Sequence, residues 1–350
     1  MSDPTAAPDR LADFARAVLR HAGADDDTAA AATDAMMHAA LHGVDSHGVR
    51  LLPHYAAAIR GGRVNGRAAM RLERTRPGTG MLHGDHAHGA RAAFAAMDHA
   101  CDMAAEAGIG AVGIADTSHF GAAGAFALRA AGRGMLGLAT CNSDAIVRLH
   151  DGAERFHGTN PLAVAMPSGG AHPWLLDMAT SAIPWNRVGL YRSQGVAVPE
   201  GVASDEAGEA TTDAEAARML APLGGAYGFK GAGLAGLAEI LSAVMTGMKL
   251  SPDVPAMDGP DLVKPRGLGA FVLALDPAAF AGAEAVERGM RRYLELLRAS
   301  PAREGGRVMA PGDREWEVVE RRRQDGVPLD PQTAARFGEL AEAAGVAAPV

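Results

Sequence analysis

Along the first sixty residues, apolar positions recur every three or four residues; beyond about residue 70 they gather instead into short runs bounded by glycine and polar turns. Leu11, Phe14, Ala15 and Val18 mark one face of a first helix, and Asp25 to Asp27 offer caps to a second that reaches Leu41. Asp45-Ser46 breaks the rhythm and can cap a third helix through Tyr55 to Arg60, ended by Gly61-Gly62. The runs Met70–Thr75, Ala111–Ala115, Leu136–Cys141, Leu162–Met166, Trp174–Met178 and Ala270–Leu275 predict strands. Ala90–Ala107, Ala122–Ala131 and Gly231–Met248 predict helices between them. The tail from Pro277 reads as helical and charged, with Arg321-Arg322-Arg323 on a solvated face, and Asp205–Ala214 as an acidic loop. The expected fold class is α/β: a mixed sheet covered by helices over residues 76–275, set between helical segments 1–75 and 276–350.

A chain of 350 residues can bury a large core and divide into two or three domains. Its 48% hydrophobic and 21% charged residues are those of a soluble globular protein, and 44 glycines suit an α/β fold rich in tight turns. The net charge of −8 argues against a nucleic-acid partner. Cys101 and Cys141 cannot form a disulfide scaffold, which points to a reducing, cytoplasmic setting. The segment Met1 to Gly23 carries Asp3, Asp9, Arg10, Asp13 and Arg16, so neither a signal-peptide core nor a membrane span of about 20 apolar residues is expected there. Lys230, Lys249 and Lys264 are the only lysines among 33 basic residues, which singles out Lys230 within its glycine cluster.

The pattern G-x-G-x-x-G occurs at Gly108 to Gly113, Gly132 to Gly137 and Gly231 to Gly236. A dinucleotide-binding Rossmann turn needs a strand before the glycines and a helix after them. The first two matches have the reverse order and read as helix C-caps leading into strands. The third opens a helix, but no strand precedes it. The matches therefore do not establish a Rossmann domain.

Two short motifs carry acid–base chemistry. In Gly43-Val44-Asp45-Ser46-His47-Gly48-Val49-Arg50 an imidazole at an expected helix start stands beside a hydroxyl and a carboxylate, with Arg50 and Tyr55 near; a capped helix with solvent-facing His and Arg is the plain alternative. In Asp116-Thr117-Ser118-His119-Phe120-Gly121 a polar cluster follows a strand, where α/β proteins place chemistry; a structural turn histidine is the alternative. A third group, His83-Gly84-Asp85-His86-Ala87-His88, has ligand types suited to zinc or iron but no ligand spacing, and reads as a histidine-rich surface turn. Cys141-Asn142-Ser143, Gly158-Thr159-Asn160-Pro161, Leu176–Ser181 and Tyr227–Gly231 put small polar groups beside apolar segments, as a binding crevice would. Met309–Glu315 can start a helix whose free N–H groups suit an anion.

Taken in order, Gly43–Gly48, Ser118–Gly121, Gly158–Pro161, Leu176–Ser181, Gly228–Gly231 with the helix through Gly247, and Pro311–Glu315 resemble the malate/L-lactate dehydrogenase family that lacks a Rossmann fold, with its sulfolactate, ureidoglycolate, diketogulonate and piperideine-carboxylate oxidoreductases. The resemblance implies a mixed-sheet cofactor domain over 76–275, a helical substrate and dimer domain built from both termini, and a homodimer that binds NAD or NADP. It implies that His47 and His119 are the proton-exchanging candidates, and that Tyr55 lines the substrate pocket. Ser143, Asp177, Met178, Ala179, Lys230, Gly312, Asp313 and Arg314 match positions that line the cofactor. One departure stands out: many relatives carry the substrate arginine four residues after the motif histidine, where this chain has Leu51, and Arg50 lies about 100° away on a helix.

The function expected is hydride transfer between NAD(P) and a small 2-hydroxy/2-oxo (or cyclic imino/amino) acid, with Ser46 orienting His47 and Arg50 holding the carboxylate. A metal-dependent lyase or hydrolase built on His83, His86, His88 and Asp116 is the alternative from another class.

Overall fold

A computed structural model describes residues 4–350. Its centre is a seven-stranded sheet of β1 (Arg71–Arg76), β2 (Thr79–Ala87), β3 (Ile109–Thr117), β4 (Leu136–Cys141), β5 (Leu162–Met166), β6 (Trp174–Met178) and β7 (Leu268–Leu275). The strands lie in the order β1-β2-β3-β7-β4-β5-β6. Only β2 and β3 run parallel; every other neighbouring pair is antiparallel. A Rossmann domain needs a mainly parallel sheet, so this is a different fold.

The terminal helices are α1 (Pro8–His21), α2 (Asp26–Leu41) and α3 (Leu52–Gly61). The Asp25 carboxylate caps α2 by accepting from the Thr28 N–H at 2.8 Å, as its sequence position suggests. Asp45-Ser46 caps no long helix. Residues Asp45–His47 and Val49–Leu51 form two 3-10 turns, and α3 begins only at Leu52, where Pro53 suits a first turn. His47 therefore has no α-helix dipole behind it.

α4 (Gly89–Ala107) and α5 (Gly124–Ala131) cover one face of the sheet. Ala93, Ala96, Met97, Ala100, Cys101 and Ala104 form the buried stripe of α4, and their small size brings the helix close against the strands. Gly108 ends α4 in the left-handed conformation at φ 81°, the C-cap role read from its place after the helix. Later come α6 (Trp185–Gln194), α7 (Phe229–Glu239), α8 (Ala283–Arg298), α9 (Asp313–Asp325) and α10 (Pro331–Ala344). The helix expected over Gly231–Met248 is α7 continued by a widened π turn, Ile240–Val244.

Both chain ends share one core. Leu11, Phe14, Leu19, Met36, Leu52 and Tyr55 pack with Val327, Leu329 and Phe337, and Thr5–Ala6 pairs with Val327–Pro328. A third, small core of Val147, Val188, Val198, Ala203 and Leu220 lies under α6 and a sheet of two- and three-residue strands. Strands that short carry no readable alternation, so the pattern of apolar positions does not mark them.

Strand β2 also escaped the sequence reading. The His83–His88 group is no surface turn: it ends a nine-residue strand paired with both β1 and β3. Gly80, Gly84 and four polar residues, Thr79, His83, Asp85 and His86, leave it little apolar pattern, and Asp85 and His86 take positive φ at its end.

Candidate active site

The antiparallel order decides which residues meet. Strands β2, β3, β4 and β6 all finish at the same edge of the sheet, where β5 and β7 begin. That edge collects His88 after β2, His119 after β3, Ser143 after β4, Ala179 after β6, Asn160 before β5 and Arg266 before β7. Helix α3 and the His47 turn lie over part of it, bringing the N-terminal segment to the sheet.

His119 is held from two sides. Its Nδ1 lies 2.8 Å from the hydroxyl of Tyr55, a side chain buried in the terminal core on α3. The preceding Ser118 accepts a hydrogen bond from the Gly89 N–H at 3.0 Å, which fastens the His119 loop to the start of α4. Here a glycine is required, because a Cβ on Gly89 would stand 2.2 Å from the Ser118 carbonyl oxygen. His88 Nδ1 accepts from the Ala90 N–H and caps α4, and its ring meets the Tyr55 ring edge-on at 4.3 Å.

His47 stacks on His119, with ring centroids 5.6 Å apart and planes at 19°. The Ser46 hydroxyl lies 2.8 Å from His47 Nδ1, so both imidazoles have Nδ1 engaged by a neighbouring hydroxyl. In each case Nε2 carries no hydrogen bond among the described residues. The motif loop is tied down by Asp45, whose carboxylate accepts from both Nη atoms of Arg322 on α9. Asp45 is thus an anchor to the C-terminal helices.

Both rings keep a little surface open to the cleft while lying deep within the protein. Burial pushes the His47 imidazolium down to about 4. Burial also holds His119 well below the ordinary histidine range, and the charges of His47, Arg266, His54 and His88 add to this. Both rings are neutral near pH 7, and a proton on either one opposes a proton on the other. Burial raises the Tyr55 hydroxyl above its ordinary range, so it remains a neutral hydrogen-bonding group.

Behind this edge lies a polar network in which Asn142 and Asn160, from two segments the sequence marked, meet Glu239 and Ser251, which no motif marked. Glu239, on α7, is buried and accepts from the Ser251 N–H at 2.6 Å, the Ser251 hydroxyl at 2.7 Å and Asn160 Nδ2 at 2.8 Å. Asn142 Nδ2 donates to the Lys249 carbonyl at 2.8 Å. Asn142 and Asn160 thus support the crevice from behind. The guanidinium of Arg266 is also buried and paired with Asp144; no sequence motif marked it, since its neighbours are ordinary loop residues.

The other site residues read from the sequence are distributed as follows. Ser143 is half-buried at the edge, and Gly158 passes so close that a Cβ would meet its Oγ at 2.2 Å. Asp177 accepts from the Gly124 N–H at 2.9 Å, and burial pushes its carboxyl up to about 6. Met178 and Ala179 follow it at the end of β6. Lys230, in the first turn of α7, is exposed with its ammonium 5.4 Å from the Tyr227 ring centre. Gly312 has φ 96° ahead of α9, and Arg314 is exposed. At that helix start the Asp313 carboxylate accepts from the Ala310 N–H at 2.9 Å and from Arg298 at 2.6 and 3.0 Å, which fixes the turn ahead of α9.

Two expectations need correction. Arg50 does not approach the histidines. It is exposed and lines a shallow cleft with Asp45, Pro328, Asp330 and Thr333, because the 3-10 turn directs it toward the C-terminal segment. Leu51 packs against the terminal core instead of reaching the site. The metal alternative fails on geometry: His83 lies near Glu73 on the strand surface, His86 is itself part of a left-handed kink and His88 caps α4. Among the described residues no group of three or more His, Cys, Asp or Glu side chains could hold a metal ion.

The sequence profile of the malate/L-lactate dehydrogenase family matches residues 6–337, so the chain belongs to this family of oxidoreductases. It is 32% identical over 346 residues to malate dehydrogenase of Pyrococcus abyssi, covering 97% of this chain and 94% of that one. It is 35% identical over 295 residues to the NAD(+) ureidoglycolate dehydrogenase of Escherichia coli O157:H7, covering 84% and 83%. The fold superimposes on sulfolactate dehydrogenase of Methanocaldococcus jannaschii with a TM-score of 0.91 at 28% identity, over 98% of each chain. It also superimposes on delta1-piperideine-2-carboxylate reductase of Pseudomonas syringae, with a TM-score of 0.85 at 26% identity, over 97% of this chain and all of that one.

Proposed function

We propose that the protein interconverts a small 2-hydroxy acid, or a cyclic amino acid, with its 2-oxo or imino counterpart, using NAD or NADP. The observation that carries this reading is the His47–His119 stack, with Nδ1 of each ring held by a hydroxyl and Nε2 of each free. The donor set suits a nicotinamide and a small acid: neutral imidazoles, hydroxyls and a buried guanidinium, with no converging metal ligands among the described residues. When bound, the nicotinamide supplies or accepts the hydride at its ring carbon C4.

The protein's own part is proton management and placement. In oxidation, His119 carries a proton on Nδ1 and donates it to the Tyr55 oxygen, so that Nε2 presents its lone pair to the substrate hydroxyl. His47, fixed by Ser46, closes the cleft beside it and limits the pair to one added proton. Ser143, Asp177, Met178, Ala179, Lys230 and the Gly312–Arg314 turn would hold the dinucleotide, Lys230 offering its exposed ammonium to a phosphate. The test is absorbance decay of NADH and of NADPH with a panel of 2-oxo and cyclic imino acids. Absence of turnover and of nucleotide binding throughout the panel would sink the reading.

We also infer that the protein forms a homodimer through α7. The inward face of this helix is small or polar, with Gly231, Ala235, Ala238 and Glu239. Its outward face and that of the π turn that continues it carry Leu234, Leu237, Ile240, Val244 and Met245, exposed by 38 to 60%. Large apolar side chains on the solvent face of a helix are what a subunit interface requires. Sedimentation of the wild type and of Leu237→Glu tests this; a monomeric wild type would refute it.

A further inference from the structure

Arg266 is 3% exposed, and its donors are incompletely used. Its Nη2 is bound to Asp144 and its Nε donates to the Pro255 carbonyl at 2.9 Å, while Nη1 has no partner among the described residues. A guanidinium presents five N–H donors, and leaving one nitrogen without an acceptor in a buried site is costly. The opposite placement of Arg50 leaves the histidine edge without the arginine that the motif reading supplied.

The strand register places the residue that carries this nitrogen. β7 pairs with β3 so that Leu268 faces Thr117, and extending that ladder two residues sets Arg266 across from His119. On the other side Ala270 faces Cys141 of β4, so Arg266 enters the sheet edge between the His119 loop and the Ser143 loop. Its charge is felt at His119, after burial and the His47 ring, and at the Cys141 thiol, after burial.

We propose that Arg266 is the cation that receives the substrate carboxylate in this protein, taking the place left vacant by Leu51; this rests on the dehydrogenase reading above. Asp144 and the Pro255 carbonyl fix one side of the guanidinium, and Nη1 is left to donate to a carboxylate oxygen beside the imidazoles. The substrate class that follows is an acid whose C1 carboxylate is ionised and whose reacting C2 lies next to His119 Nε2. A neutral ester or amide of the same acid would forfeit this bond and leave Nη1 buried without an acceptor.

The test compares kcat/KM for an accepted 2-oxo acid and its methyl ester in the wild type, Arg266→Gln and Arg266→Lys. The lysine variant retains a cation for Asp144 and controls for folding. The expected result is a wild-type preference for the acid of roughly 10²-fold, which collapses in Arg266→Gln because the rate on the acid falls far more than the rate on the ester. Equal losses on acid and ester would show a purely structural role and overturn the proposal. A wild type that reduces none of the acids brings down the dehydrogenase reading separately. Oxamate binding then decides: binding lost in Arg266→Gln upholds the carboxylate seat, and binding that is absent or equal in both proteins overturns it.

Discussion

The Tyr55 hydroxyl and His119 Nδ1 meet at 2.8 Å across 64 residues of chain, joining the helical layer to the end of β3. The contact engages Nδ1 and leaves Nε2 as the other ring nitrogen, the one the proposed proton transfer uses. Replacing Tyr55 by Phe keeps the ring against His88 and removes only the hydroxyl. The expected outcome is a fall in kcat of roughly ten- to a hundredfold, the worth of one hydrogen bond to a group that becomes charged. Steady-state kinetics beside a circular dichroism spectrum checks it; an unchanged kcat would argue against His119 as the proton carrier.

Stacking makes the two histidines electrostatically dependent. His47 lowers the affinity of His119 for a proton, after burial itself. In the oxidative direction a neutral base is needed, so activity should persist well below pH 6.5 before the acid limb falls. In His47→Asn that limb should move up toward the ordinary histidine value. A pH profile of kcat/KM for the two proteins reads the shift directly, and a downward move would contradict the coupling.

Stability should also depend on pH through His88. Burial, with a contribution from His54, pushes its pKa down to about 3 against 6.5 for a free imidazole. Between those values the unfolded chain binds a proton that the folded one refuses, so stability is full above pH 6.5 and declines as pH falls toward 3. His88→Asn keeps a helix-capping side chain and removes the titration. Urea unfolding at pH 7 and pH 5 should show a smaller difference in the variant than in the wild type.

The Glu239 network gives the largest predicted loss. Glu239→Ala strips the acceptor from the Ser251 N–H, the Ser251 hydroxyl and Asn160 Nδ2, all buried. Each orphaned donor costs about 1–3 kcal/mol, so a total of roughly 3 kcal/mol or more is expected. Calorimetry would register a drop in Tm of several degrees, and an unchanged Tm would rule this account out.

The Asp45–Arg322 pair makes a contrasting case. Asp45 is 55% exposed at its side chain, so solvent screens its end of the pair, while Arg322 is 11% exposed and also donates to the Ala40 carbonyl; its loss should cost about 1–2 kcal/mol. Yet the pair anchors the turn that carries Ser46 and His47. Arg322→Met should therefore lower kcat several-fold with a fall in Tm smaller than that of Glu239→Ala. A loss of stability without loss of turnover would contradict an anchoring role.

Local pattern determined much of this protein. The strands at Leu136–Cys141, Leu162–Met166 and Trp174–Met178 fall where their apolar runs end, and α2 starts at its aspartate cap. Those features depend on residues within a few positions of one another, so period and capping chemistry suffice to read them. The two histidine motifs were legible for the same reason: a short polar cluster is visible wherever it lies.

Tertiary structure decided the rest, because pairing partners far apart in the chain leave no local mark. β2 is polar and glycine-interrupted, yet lies between β1 and β3, and their ladders hold it as a strand. A 3-10 turn in place of a helix start sent Arg50 outward, while the β3–β7 register carried Arg266 inward from an unremarkable loop. Sheet order and direction brought His47, Tyr55, His119 and Arg266 to one edge, and no spacing in the sequence encodes that convergence.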